Sequence, residues 1–359
     1  MSNRKYWVAF SSFEEISSVF VKKLYDKFGN IEKAFNSTYS ELVQIDGITP
    51  KKAEQFLKLR DNVNFEKIEE QVKDFDLITY EDENYPQILK EIYNPPMFLY
   101  AKGDLSSCNL GRTLAVVGSR RASRDGKNAL SKILSEFQNT DICIVSGLAE
   151  GIDAVAHKTA LDNNIKTIGI IGSGFNYVYP TTNKELYKRI EDGGGAILTE
   201  YFPTFEPIKF RFPQRNRIVS GISYGTLVAE AALKSGALIT ASLTLEQGRE
   251  LMCMPGLISN PNTEGIYKLL KNGATLVTSA DDILNTLNWE IKKETPSAAT
   301  NDSNLDEEKI LYTISIESKC FDEIQSETGL DTDKLLNTLS MLELKGKVRQ
   351  VYSDRYEKV

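Results

Sequence analysis

The chain has 359 residues, 41% of them hydrophobic and 26% charged, which is typical of a soluble globular protein with two or three domains. Its net charge of −7 excludes a surface coated with basic charge, so contact with nucleic acid phosphates requires a local basic patch. No apolar run reaches the roughly 20 residues of a membrane-spanning helix, and Glu14 and Glu15 interrupt the apolar N-terminal segment. We therefore expect a cytoplasmic protein without membrane contact.

Residues 1–75 are predicted to form an all-helical domain. Four apolar residues have the spacing of one helix face: Phe13, Ile16, Phe20 and Leu24. Residues 42–57 then combine an apolar helix end, a Gly47 turn, a Thr49-Pro50 helix start and a second amphipathic helix, which is the pattern of a helix-hairpin-helix. The glycine turn either exposes backbone N–H groups to a DNA phosphate or only joins two packed helices, and the residues favour neither.

Residues 76–288 alternate short β-branched runs with helical stretches. The predicted strands are Thr113–Val117, Ile142–Val145, Thr167–Ile171, Ala196–Thr199, Thr226–Ala229, Glu250–Met254 and Thr275–Val277. The predicted helices lie near 126–138, 151–163, 183–191, 239–247, 264–272 and 280–287. Apolar strands separated by helices predict a Rossmann-like, doubly wound and mostly parallel sheet.

Residues 289–306 lack apolar periodicity and are predicted to be a linker. Residues 307–359 return to helices at Glu308–Ile316, Phe321–Thr328 and Thr332–Lys345, and end in a β-hairpin, which is a winged-helix pattern. Because acidic residues outnumber basic ones here, this domain is expected to bind protein or stabilise the fold rather than read DNA.

The loop after the first parallel strand is a candidate phosphate site. It contains Gly118, Ser119, Arg120, Arg121 and Ser123. Glycine lets a ligand approach the backbone, and arginine and helix N-termini bind phosphate oxygens. The glycine spacing does not match a Walker A loop, so ATP hydrolysis is not predicted. The alternative is that these arginines are solvated or paired with carboxylates.

Two further glycine-rich loops follow predicted strands. Ser146, Gly147 and Gly151 belong to the first. Asp153 follows as an N-cap or polar anchor of the pocket. His157, four residues later on the same helix face, either hydrogen-bonds into the pocket or makes a contact within the helix that holds the turn. The second, Gly172-Ser173-Gly174, lacks the third glycine of a dinucleotide fingerprint, so no NAD or other cofactor is predicted. Beyond it, Lys184 is a candidate phosphate contact or a solvated lysine. A single histidine and four widely spaced cysteines predict neither a metal site nor a catalytic nucleophile.

The segment 209–217 interleaves cations with aromatic side chains. Its candidate DNA contacts are Lys209, Phe210, Arg211, Phe212, Arg215, Asn216 and Arg217. Arginines neutralise phosphates while aromatic faces stack on unpaired bases, as in proteins that bind single strands. We also expect at least one internal ion pair to Glu200 or Glu230, with Arg215 or Arg217 as its donor.

Taken together, these motifs resemble the DNA processing protein A (DprA/Smf) family. The resemblance rests on GSRRAS (118–123), SGLAEGIDAVAHKTAL (146–161), YP (179–180), GGGAILTE (193–200), FPQRNRIVSGIS (212–223), EAALKSGALITA (230–241) and EQGRELMCMPG (246–256). It implies a non-enzymatic, homodimeric protein that coats incoming single-stranded DNA and loads RecA during natural transformation. It also implies Arg120 and the 209–217 segment as DNA contacts, and dimerisation near the end of the core.

One stretch departs from the family pattern. Where the family has a Gly-Thr-Asn turn, this chain has Glu264-Gly265 followed by Ile266, Leu269 and Leu270. These three apolar residues are candidates for the dimer interface, and burial within one chain is the alternative.

Two other functions stay open from the residues alone. The first is a hydrolase that cleaves nucleoside monophosphates in the same pocket, with Glu200 and Glu230 as its carboxylates. The second is a scaffold that senses a nucleotide and relays the signal through the C-terminal domain.

Overall fold

A nine-stranded sheet is the centre of the first of two compact units, which divide between residues 292 and 293. The computed structural model describes residues 3–290, 302–314, 318–351 and 355–358. The strands are β1 (Asp76–Thr79), β2 (Phe98–Gly103), β3 (Thr113–Val117), β4 (Cys143–Ser146), β5 (Lys166–Ile170), β6 (Gly195–Thr199), β7 (Gly225–Val228), β8 (Glu250–Cys253) and β9 (Thr275–Leu276). All seven predicted strands are present, with ends within one residue of the prediction.

The strands lie in the order β1-β2-β6-β5-β4-β3-β7-β8-β9. Strands β3 to β9 are parallel to one another, whereas β1 and β2 add an antiparallel edge that the sequence did not predict. The chain winds outwards in both directions from β3 and β7, so the switch point of this doubly wound sheet lies between these two strands. The predicted fold class is confirmed.

Helices cover both faces of the sheet and form the region before it. In chain order they are α1 (Arg4–Ser11), α2 (Ser18–Phe28), α3 (Ile31–Phe35), α4 (Tyr39–Leu42), α5 (Pro50–Asp61), α6 (Phe65–Val72), α7 (Arg124–Ser135), α8 (Ile152–Asp162), α9 (Lys184–Arg189), α10 (Arg211–Gly221), α11 (Gly236–Glu246), α12 (Glu264–Lys271) and α13 (Ala280–Leu287). Six of the core helices match their predictions within three residues, and α10 was not predicted.

The helical region shares a hydrophobic core with the sheet. Trp7 and Phe10 of α1 belong to the same buried cluster as Tyr100 of β2 and Phe202, which follows β6. The Tyr100 hydroxyl also lies 2.6 Å from the hydroxyl of Ser11. Helices α1 to α6 are therefore packed firmly against one edge of the sheet.

The N-terminal residues differ in part from the prediction. Phe13 and Ile16 lie between α1 and α2, because Ser17 caps α2 through a hydrogen bond from the Phe20 amide. The predicted hairpin is present: α4 leads through Gly47, at φ +75°, into α5, which Thr49 caps. Among the described residues, no helix has the length and apolar character needed to cross a bilayer.

The described residues of the second unit form three helices and a three-stranded sheet. These are α14 (Asp302–Thr313), α15 (Phe321–Thr328), α16 (Thr332–Leu344), β10 (Lys319–Cys320), β11 (Val348–Val351) and β12 (Arg355–Lys358), with strand order β10-β12-β11. The winged-helix prediction is confirmed. Helix α14 begins inside the predicted linker, of which residues 291–301 lie outside the described residues, as does the end of the predicted helix at Ile316.

Candidate nucleic-acid interface

A cavity of about 580 Å³ opens at the carboxyl ends of β3 and β4, beside the switch point. Its wall is formed by the loops after these two strands, by one face of α10 and by the beginning of α11. This is where open α/β sheets bind their ligands. The switch-point cavity, as we call it, is lined by Gly118, Ser119, Arg120, Gly147, Asp153, Tyr179, Lys209, Phe212, Arg215 and Asn216, among others.

Glu230, just after β7, holds the loop that follows β3. Its backbone carbonyl accepts a hydrogen bond from the Ser119 amide at 2.7 Å, and its carboxylate accepts one from the Ser123 amide at 2.9 Å. A Cβ at Gly118 would lie 2.6 Å from Ile152, so only glycine fits this crossing. Glu230 is buried, and these contacts give it a structural role in shaping the loop.

Asp153 occupies two backbone donors of the loop after β4. Its Oδ2 atom accepts hydrogen bonds from the amides of Gly147 at 3.1 Å and Ala149 at 3.4 Å. The Ser146 hydroxyl donates to the Val116 carbonyl at 2.6 Å and is fully buried. The predicted phosphate contacts are thus engaged inside the protein: the Ser146 hydroxyl with a backbone carbonyl, and the Gly147 amide with a carboxylate that takes the place of a bound anion.

Arg215 forms the floor of the cavity. Its side chain is almost fully buried, and Nη1 donates to the carbonyl of Ile170. A Cβ at Gly147 would lie 2.2 Å from this guanidinium, so the glycine is needed to make room for it. Burial lowers the pKa of Arg215, and the negative charge of Asp153 opposes that shift. Burial likewise raises the pKa of Asp153, which the positive charge of Arg215 opposes.

His157 lies in the core, where it connects α8 to strand β5. It is fully buried, and its Nδ1 atom lies 2.7 Å from the hydroxyl of Thr167, which itself donates to the carbonyl of Ile144. The imidazole is therefore the donor to Thr167. Burial, followed by the charge of Arg215, lowers the pKa of His157 to about 3. A neutral, buried His157 therefore stabilises the packing of α8 against β5.

The cations of the 209–217 segment point in different directions. Arg211 is buried and donates to the Glu14 carboxylate and the Glu206 carbonyl. Arg217 forms a two-pronged ion pair with Glu200, at 2.6 and 2.9 Å. The predicted internal ion pair is confirmed, and a groove lined by all four cations does not form.

Lys209 and Arg120 bring positive charge to the mouth of the cavity. Both are exposed, as are Arg121 and Lys184 nearby, and none of the four lies within 4.0 Å of a carboxylate in the described part of the chain. Of the four, Arg120 and Lys209 line the cavity itself. The cavity therefore has unpaired cations available for an anionic ligand.

Aromatic rings accompany these cations. Phe212 lines the cavity, with the Arg120 guanidinium 6.0 Å from its ring centre and the Tyr179 ring 5.4 Å away. Phe210 and Tyr179 are 58% and 44% exposed, which leaves ring faces open to a base. Sequence reasoning did not select Tyr179 as a contact, although it lies in the YP motif just after the third glycine-rich loop.

The three candidate dimer residues lie on α12 and are not among the residues that line the cavity. Ile266 is fully buried in the core and Leu269 and Leu270 are half-buried against it, so Ile266 is not a surface residue. The described residues contain no group of three or more His, Cys, Asp or Glu side chains placed to hold a metal.

The fold and cavity define a doubly wound α/β protein with a basic, aromatic site at its switch point. The chain belongs to the family described as DNA recombination-mediator protein A, whose family model matches residues 76–288. A second model, the DprA winged helix domain, matches residues 294–352.

Several relatives support this assignment. The chain is 35% identical to Protein Smf of Escherichia coli over 86% of this chain and 85% of that protein. It is 43% identical to DNA processing protein DprA of Streptococcus pneumoniae over 56% of this chain and 71% of that protein. The solved structure of DprA from S. pneumoniae matches with a TM-score of 0.70 at 34% identity, covering 78% of this chain and 97% of that one.

A further solved structure concerns single-stranded DNA. It is described as showing the single-stranded DNA binding mode of DNA processing protein A from Helicobacter pylori. It matches with a TM-score of 0.53 at 30% identity and covers 60% of this chain and 96% of that one.

Proposed function

We propose that the chain binds single-stranded DNA at the switch-point cavity. The observation that carries this proposal is the set of unpaired, exposed cations beside exposed aromatic rings at the cavity mouth. Arg120 and Lys209 supply phosphate contacts, and Phe210, Phe212 and Tyr179 supply ring faces for bases. Family membership and the relative from H. pylori support the same function.

The buried arginines have supporting roles in this proposal. Arg211 and Arg217 are paired with Glu14 and Glu200, so their charges hold α10 in place. Arg215 borders the cavity floor, where its positive charge raises the local potential without an exposed guanidinium. Arg121 and Lys184 extend the positive surface beside the cavity.

We propose further that the protein is a recombination mediator rather than an enzyme. In this role it protects an incoming strand in the cytoplasm and loads the RecA recombinase during natural transformation, and it acts as a homodimer. Membership of the DNA recombination-mediator family supports this role. Leu269 and Leu270, half-buried on α12, are the candidates for the dimer contact that still reach the surface.

The hydrolase hypothesis loses support from the positions of its two carboxylates. Glu200 is buried in its ion pair with Arg217, and Glu230 accepts hydrogen bonds from Ser123 and Asn260. A general base needs a lone pair within reach of the substrate. Neither carboxylate is among the residues that line the switch-point cavity.

The test is a titration of the purified protein into fluorescently labelled oligo-dT and into its duplex, at several salt concentrations. We expect tight binding that weakens with salt and prefers the single strand. Equal affinity for both forms, or no binding at low salt, contradicts the proposal and directs the search to mononucleotides. Loading of RecA is measured separately, as RecA filament formation on oligo-dT coated with single-strand binding protein, with and without this protein.

A further inference from the structure

Helix α10 begins without the stabilisation that a helix N-terminus usually has. No side chain caps it, its first turn contains no acidic residue, and its first residue is Arg211. A positive charge at this end is unfavourable, because the helix dipole already places partial positive charge there. The turn that leads from Lys209 to Phe212 therefore depends on contacts from elsewhere in the chain.

Glu14 supplies the missing negative charge from the helical region. It lies between α1 and α2, 197 residues before Arg211, and its carboxylate accepts a hydrogen bond from the Arg211 guanidinium. The same guanidinium lies 4.9 Å from the ring centre of Tyr201 and 5.0 Å from that of Phe205. Arg211 is thereby fixed between two rings and a carboxylate, and it fixes the first turn of α10.

A second contact ties the next turn of α10 to the same segment. Glu200, the partner of Arg217, also accepts a hydrogen bond from the Ser18 hydroxyl at 3.2 Å. Residues 14–18 therefore reach the helix at two points. Between those points, Phe212 and Arg215 face the switch-point cavity.

We propose that Glu14 is a positioning residue for strand binding. Its carboxylate holds the first turn of α10 so that Lys209 and Phe212 keep their places at the cavity mouth, and it thereby couples the helical region to the DNA site. This inference rests on the proposed function, since it assigns a role in the binding of the same ligand.

The sign of the effect separates this role from simple electrostatics. Glu14 has 56% of its side chain exposed, so an anionic strand is repelled by its charge. If charge alone mattered, Glu14→Gln would strengthen binding. If Glu14 positions α10, the same change weakens binding.

The experiment compares Glu14→Gln with Glu15→Gln in the full chain. Glu15 is the adjacent exposed carboxylate and makes no hydrogen bond or ion pair among the described residues, so it is a matched control for charge. Binding to oligo-dT is measured at several salt concentrations and normalised to the active fraction from stoichiometric titration. We expect Glu14→Gln to bind about fivefold or more weakly, in the range of ordinary coupling energies, with the wild-type salt slope because no phosphate contact is lost. Glu15→Gln is expected to bind like the wild type or slightly more tightly.

Hydrogen exchange measures directly whether the first turn of α10 is held in place. Glu14→Gln should speed exchange in the first turn of α10 and leave α8 unchanged. Arg211→Lys keeps the charge but loses the flat guanidinium that fits between the rings, so it should also weaken binding at unchanged slope. This second variant decides the matter if Glu14→Gln does not fold.

The outcomes distinguish two failures. If the wild type does not bind oligo-dT, the proposed function fails, and this inference fails with it. If the wild type binds and both Glu14→Gln and Arg211→Lys bind at least as tightly, only the positioning role is overturned.

Discussion

Replacing Arg120 with alanine removes a cation from the cavity mouth at little cost to the fold. Arg120 is exposed and forms no ion pair in the described part of the chain, and its aromatic contact is the Phe212 ring at 6.0 Å. Such a surface change alters the free energy of unfolding by about 0.5 kcal/mol or less. Any larger effect on DNA binding therefore reports a lost contact with the strand.

The expected loss follows from one charged hydrogen bond to a phosphate. Such a bond contributes about 1.5–3 kcal/mol, which weakens binding by about ten- to a hundredfold. Losing one phosphate contact on a single strand also reduces the slope of log K against log salt by about 0.7. Both quantities come from the same anisotropy titration with oligo-dT at four or more salt concentrations.

Lys132→Ala is the matched control for this variant. Lys132 is exposed near the far end of α7 and is absent from the residues that line the cavity in the described chain. It should bind oligo-dT with wild-type affinity and slope. If Arg120→Ala also leaves both unchanged, Arg120 does not contact the strand and is removed from the proposed site.

Two further predictions concern buried groups. Because the pKa of His157 is lowered to about 3 in the folded state, its imidazole binds a proton below about pH 6.5 in the unfolded state but stays neutral in the folded state. The free energy of unfolding should therefore fall by up to about 1.4 kcal/mol per pH unit as pH decreases from 6.5 to 4. Urea unfolding of His157→Gln should lack this contribution. An imidazole NMR signal that titrates near pH 6.5 in the folded protein would contradict the burial of His157. Arg217→Ala leaves the Glu200 carboxylate buried without its cationic partner. The free energy of unfolding, measured with urea, should therefore fall by about 3–5 kcal/mol. The double variant with Glu200→Ala should cost less, and a single-variant loss below about 1 kcal/mol would show that the pair contributes little.

The parallel strands and most core helices could be predicted because each carries its own pattern. A run such as Thr113–Val117 is apolar at every position, and both faces of that strand are buried. The edge strands β1 and β2 were missed because an antiparallel edge depends on distant pairing. Asp76 pairs with Ala101, 25 residues later. The run Phe98–Ala101 is apolar, but so short a run does not by itself distinguish a strand from a buried segment of another kind.

Helix α10 was missed for a different reason. The inward positions in its first half are occupied by Arg211 and Arg215, and apolar residues mark the helix face only from Ile218 onwards. Pro213 also lies in its first turn. Proline is tolerated there because the first amides of a helix have no partner within it. Sequence analysis therefore assigned DNA contacts and an internal ion pair to this segment but no helix.

The candidate site was predictable in place but not in detail. Loops after parallel strands meet at one edge of a sheet, so Gly118 and Gly147 had to approach each other. Sequence analysis predicted an ion pair between Arg215 or Arg217 and Glu200 or Glu230, and the pair between Arg217 and Glu200 is present. The burial of Arg211 was not predicted, because its partner Glu14 lies 197 residues earlier and no local pattern connects the two.

The carboxylate of Asp153, which accepts the amides of Gly147 and Ala149, has a consequence for how a strand is recognised. In nucleotide-binding relatives of this fold, such amides are free to hold a phosphate. Here the loop is already ordered before any ligand arrives, so binding does not have to offset the entropy of ordering it. The amides of Gly147 and Ala149 are therefore not available to a free phosphate ion. Under the proposed function, a polymer that reaches several cations and rings at once binds through their combined effect.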